Sequence, residues 1–153
     1  MNVVVRQIPA DPEALGPSTD ALTEALPAWV ERERVRFGLT EALTNALVHG
    51  TLEIDSSERE TDYVRYLDLI AQRAADRRST HAITVTLEAD EARAVFRLRW
   101  AGAACPPPYR ERRREQSEVS VHGRGLGIIY SCFDDVDWDD DGLGMTLAVE
   151  RSA

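Results

Sequence analysis

The chain has 153 residues, a length that fits one domain with a proper buried core. Hydrophobic residues make up 43% and charged residues 29%, the balance of an ordinary globular protein and not of a disordered or membrane-embedded one. The formal net charge of −9 argues against nucleic-acid backbones or acidic membranes as the main partner, since both require a positive face.

The first segment, NVVVRQI over residues 2–8, is short and β-branched and reads as a strand. A helical pattern runs from Thr19 to Leu26, preceded by turn or cap signals at Asp11-Pro12 and Pro17-Ser18. The strongest helix spans about Trp29 to Val48, where Val35, Leu39, Leu43 and Leu47 recur every fourth residue and Gly50 sits where a C-terminal cap belongs. Residues 58–77 read as another helix, with Tyr63, Leu67, Ile70 and Ala74 on one face. Strand-like alternation appears in ITVTLEA (83–89) and AVFRLRW (94–100) around a polar turn at Asp90-Glu91. After AGAACPPP the chain is irregular and charged up to Val119, and its basic run Arg110–Arg114 reads as a solvated loop or, less simply, a phosphate or partner contact. A short helix is expected from about Leu126 to Phe133, followed by a hairpin turning at Asp141-Gly142. Helices early and strands late, with no repeat and no linker, predict a single α+β domain over 1–153, with the helices on one face of a mostly antiparallel, mixed sheet.

Two cysteines, Cys105 and Cys132, make neither a disulfide framework nor a zinc-type spacing and are expected to be small buried hydrophobes. The opening MNVVVRQIPADPEA has too short an apolar stretch for a secretory signal, and no stretch could span a bilayer, so the cytoplasm is the expected location.

Two stretches carry chemistry. On the long helix Glu41, Asn45 and His49 are spaced by four and stack in one row beside the apolar stripe. An acid, an amide and an imidazole in line can hold a divalent ion and a water, although an isolated Glu-x-x-x-Asn is usually only a solvated face. In VHGRGLGII, Gly123, Gly125 and Gly127 precede an apolar run, so the backbone can approach a ligand closely and a helix starting there offers unpaired N–H groups to an anion. No βαβ start precedes these glycines, which removes the dinucleotide-fold reading. Trp29 and Trp138 are read as core or partner-surface residues, and His122 as an exposed loop residue.

Taken together, TEALTNALVHG at 40–50, the strand pair THAITVTLEADEARAVFRLRW, GRGLG at 123–127 and the closing FDDVDWDDDGLGMTLAVE resemble the histidine-kinase-like ATPase superfamily. Within it the likeness is to stand-alone anti-sigma-factor serine kinases, and it runs over nearly the whole chain from about Trp29 with the motif order preserved. The resemblance implies a two-layer α/β sandwich of the Bergerat type that binds ATP and Mg²⁺. It implies Glu41 as general base, Asn45 as the Mg²⁺ ligand, and His49 near the cofactor. Gly123, Gly125, Leu126 and Gly127 become the phosphate-approaching lid, Arg124 a cation over the γ-phosphate, and Thr146 a closing-strand residue facing the base. Such a protein sequesters a sigma factor, phosphorylates a serine on an antagonist protein, and forms a homodimer. The superfamily's adenine-anchoring aspartate, in an Asp-x-Gly-x-Gly motif, falls in RWAGAACPPP, where Trp100 replaces the aspartate, Gly102 remains and Ala104 replaces the second glycine. An indole offers only a donor where the aspartate accepts. This departure keeps a second reading open: a non-catalytic partner-binding module of the same fold.

Overall fold

A computed structural model describes residues 1–110 and 124–153. Its elements follow in chain order as strand β1 (Asn2–Pro9), helix α1 (Pro12–Glu24), helix α2 (Arg32–Asn45) continued by a π-helical turn (Ala46–Thr51), helices α3 (Ser57–Thr61) and α4 (Tyr63–Arg77), strands β2 (Ala82–Ala89) and β3 (Arg93–Arg99), a single turn α5 (Pro107–Arg110), helix α6 (Arg124–Cys132), and strands β4 (Asp135–Trp138) and β5 (Gly144–Glu150). The strands form one sheet in the order β1-β2-β3-β5-β4. Every pairing among the described strands is antiparallel, so the sheet is not mixed as expected.

Alternation within the strands sets the layers. Ile83, Val85, Leu87 and Ala89 of β2 point into the core, as do Ala94, Phe96 and Leu98 of β3 and Met145, Leu147 and Val149 of β5, all buried. The helices cover this face: α2 contributes Val35, Leu39, Ala42 and Leu43, and α6 contributes Ile129, with Phe133 just after it. The α2–α6 contact is close because Gly38 has no side chain; a Cβ there would stand 2.5 Å from Cys132 Cβ and 2.7 Å from the Phe133 ring. The opposite face of the sheet carries Thr84, Thr86, Arg97, Arg99 and Thr146 and is covered by no described element with which the sheet packs extensively.

Local chemistry moves several boundaries. Helix α1 starts earlier than its apolar pattern, because Asp11 caps it by accepting from Glu13 N and Pro12 occupies the first turn. Residues 58–77 are two helices: Asp62 is extended, and its side chain caps α4 by accepting from Arg65 N. Within α4 the buried face carries Tyr66 and Ala74, while Tyr63 and Leu67, expected on it, stand about half exposed, at 54% and 48%. Gly50 is not a cap. The long helix runs past it through a π turn that closes with Leu52 N donating to Leu47 O at 2.8 Å, and the left-handed residue at the end is Glu53, with φ 55°. The carbonyls left over at that end are satisfied from α4: Arg77 donates to Thr51 O, and Arg73 to Leu52 O and Glu53 O.

Candidate nucleotide site

The π turn, the loop that follows it, the loop after β3 and the first turn of α6 surround a cavity of about 310 Å³, a size suited to a small ligand. Asn45, His49 and Gly50 form one wall, Trp100 and residues 103–106 another, and Leu126 closes a third. Trp138 and Met145 complete the sheet side. Asn45 and His49 from the long helix, Trp100 from the end of β3, Leu126 from the glycine-rich stretch and Trp138 and Met145 from the closing segment thus meet at one place.

The aromatic end is fixed by close backbone approach. Trp100 is 7% exposed and lies directly on Gly50, where a Cβ would meet its ring at 2.4–2.8 Å. The indole N–H donates to Ala103 O at 3.0 Å, and Ala103 N donates to Gly50 O at 2.9 Å. Between them Gly102 adopts φ +142°, and a Cβ there would stand 2.3 Å from Gly50 O. Both glycines are therefore required by geometry. Trp100 occupies the wall of the cavity as a packed apolar plate whose one donor is already used.

His49 is half-buried, and its Nδ1 lies 2.6 Å from Ile54 O. Asn45, one turn earlier, lines the cavity with no hydrogen-bond partner for its amide among the described residues. Glu41 stands a further turn back on α2, half-buried and outside the cavity lining. At the rim Glu53 is paired with Arg77 at 2.8 Å, and Asp55 accepts from Ser57 N at 2.8 Å. No cluster of three or more His, Cys, Asp or Glu among the described residues could hold a metal by itself. Asn45 Oδ1 is a neutral oxygen in the cavity lining, of the kind that a hard ion such as Mg²⁺ takes beside phosphates and water.

Other expected positions fall differently. Thr146 is not in the cavity: it pairs across the sheet with Arg97 and Asp137, on the face away from the helices, and its neighbour Met145 takes the inward position. Strand alternation makes the two mutually exclusive. Gly125 and Gly127 lie within the first turn of α6, which starts at Arg124, and not in a loop before it. Gly123 and His122 lie outside the described residues. Trp138, expected in the core or at a partner surface, is a wall of the cavity. Cys132 is buried as expected, but Cys105 is only half-buried and lines the cavity, with burial pushing its thiol up to about 11. It stays protonated at neutral pH and is no nucleophile. Of the basic run, Arg110 donates to Cys105 O and Asp140 O and is a structural tie, and residues 111–114 lie outside the described residues.

The histidine kinase-like ATPase domain family model matches residues 8–150. The chain belongs to that family. A comparison with curated proteins gives no match.

Proposed function

We propose that this protein is an ATP-dependent regulatory serine kinase of the anti-sigma type, which sequesters a sigma factor and phosphorylates an antagonist protein, acting as a homodimer in the cytoplasm. The observation that carries the reading is the Asn45 amide, without a hydrogen-bond partner among the described residues, in a cavity shared with the first turn of α6. In this reading the aromatic end receives the base, Asn45 Oδ1 would hold Mg²⁺, the backbone N–H groups at the start of α6 face the phosphates, and Arg124 supplies a positive charge to the γ-phosphate. Bound Mg²⁺ neutralises phosphate oxygens and lowers the charge barrier to attack. Glu41 takes the proton of the antagonist's serine hydroxyl as its oxygen bonds to the γ-phosphorus and the bond to the β-phosphate oxygen breaks, giving phosphoserine and ADP.

The test is calorimetric titration with ATP, with and without Mg²⁺. Wild type is expected to bind in a Mg²⁺-dependent manner, and Asn45→Ala to lose that dependence with its melting temperature unchanged, because Asn45 lies beside the core stripe and not in it. Equal binding by both proteins would remove Asn45 as the metal ligand.

Trp100 supports a second reading. Its indole supplies no acceptor to a base, and a partner-binding module that no longer binds ATP needs none. Absence of ATP binding by wild type, with sigma-factor binding retained, favours this reading over the first.

A further inference from the structure

We infer that His49 Nε2 is the hydrogen-bond acceptor that selects an amino-bearing purine in this cavity, an inference that rests on the nucleotide reading above. Ile54 O can only accept, so the 2.6 Å contact requires the proton of the neutral ring on Nδ1 and leaves a lone pair on Nε2. Among the described residues Nε2 has no partner, and His49 lines the cavity. His49 precedes Gly50, on which the Trp100 ring rests, which puts the imidazole at the aromatic end where a flat base is received.

Of the other polar groups in the cavity only Trp138 Nε1 is selective: it is buried with no hydrogen-bond partner among the described residues and can only donate, so it calls for a ring nitrogen, which both ligands compared below carry, and not for an amino group. The Trp100 N–H is bound to Ala103 O, Glu53 is paired with Arg77, and Asp55 accepts from Ser57 N. The Ser56 hydroxyl both donates and accepts, so it tolerates an amino or a keto group alike. An Nε2 lone pair accepts only, and therefore favours a ligand that donates at that point. Adenine's exocyclic amino group is such a donor.

The experiment compares ATP with purine riboside 5′-triphosphate, which lacks only that amino group, by calorimetry with Mg²⁺. Wild type is expected to bind ATP about tenfold more tightly, the worth of one hydrogen bond. His49→Phe should bind both ligands equally, at the weaker level, and His49→Gln, whose amide oxygen accepts, should recover part of the preference. A wild type without preference, or a preference that persists in His49→Phe, overturns the inference while leaving the nucleotide reading in place. Binding of neither triphosphate by wild type overturns both.

Discussion

Gly50→Ala reports directly on how the aromatic end is built. At an ordinary helix position the change stabilises by about 0.5–1 kcal/mol, because alanine loses less backbone entropy than glycine. Gly50 lies inside the π turn without a positive φ, so this gain is available to it. Against it stands the new methyl, 2.4, 2.7 and 2.8 Å from three atoms of the Trp100 ring. The ring cannot bend, and its loop is held by the Ala103 N to Gly50 O bond, so the cost falls at the upper end of the roughly 1–3 kcal/mol range for overpacking. The net is a destabilisation of about 2 kcal/mol, or a fall of about 4–8 °C in melting temperature for a domain of this size. Thermal melts of a double-mutant cycle with Trp100→Ala isolate the contact. Without the indole, Gly50→Ala is expected to change sign and raise the melting temperature. If Gly50→Ala stabilises wild type and Trp100→Ala backgrounds equally, Trp100 does not rest on Gly50 and the described cavity wall is wrong.

Trp100→Asp replaces a buried indole by a carboxylate in apolar surroundings, and melts should show a loss of about 3–5 kcal/mol with no tightening of ATP binding; tighter ATP binding at an unchanged melting temperature would refute this. Met145 lines the cavity and Thr146 does not, so titrations should find ATP binding weakened by Met145→Ala and unaffected by Thr146→Val; the reverse result would mean that β5 is paired one residue out of register. Hydrogen bonds from Arg99 hold the Asp141 carboxyl down to about 2. Its contribution to stability is therefore full above about pH 4, the ordinary carboxylate value, and is lost as pH falls toward about 2. The gap in melting temperature between wild type and Asp141→Asn should hold steady from pH 7 to 5 and close between pH 4 and 2, and a gap that stays constant through that range would show that the Arg99 contact does not form.

Periodicity and turn residues were enough for most elements of the fold and for setting Asn45 and His49 in one row of the long helix. The every-fourth-residue stripe of α2 needed only apolar spacing, and the Asp141-Gly142 turn only its dipeptide, so both stand where expected. The π turn was not legible, because an i→i+5 bond leaves no residue pattern and the arginines that cap it, Arg73 and Arg77, come from a helix more than 20 residues on. The position of Thr146 was lost for a different reason. GMTLAVE is apolar on both faces, with Ala148 buried as fully as Leu147, so nothing in the strand shows which parity points inward, and a shift of one residue exchanges the faces. For Trp100 the sequence shows only a donor in the place of an acceptor, and the tertiary contact with Gly50 is what shows the indole as a wall with its donor already used.

The order of strands bears on how the chain is made as well as on what it holds. β1 is an edge strand paired, among the described strands, with β2 alone, and the nearest pair in their ladder, Pro9 with Ala82, is 73 residues apart in the chain. At a synthesis rate of about 5–20 residues per second, β1 waits about 4–15 s on the ribosome before its partner exists. Helix α1 can coil within microseconds of emerging, but a lone strand has no such local solution. Through that interval Val3, Val4, Val5 and Ile8 form an unpaired apolar ribbon, and in the finished fold Val3 and Val5 are still more than half exposed on an edge that carries no proline before Pro9. The far edge is built otherwise: β4 is four residues long, with Asp135 and Asp137 on its exposed side. The N-terminal edge is thus the point where crowded synthesis would couple one nascent copy to another, and yield on expression should rise more from a lysine at Val3 or Val5 than from any substitution in the core.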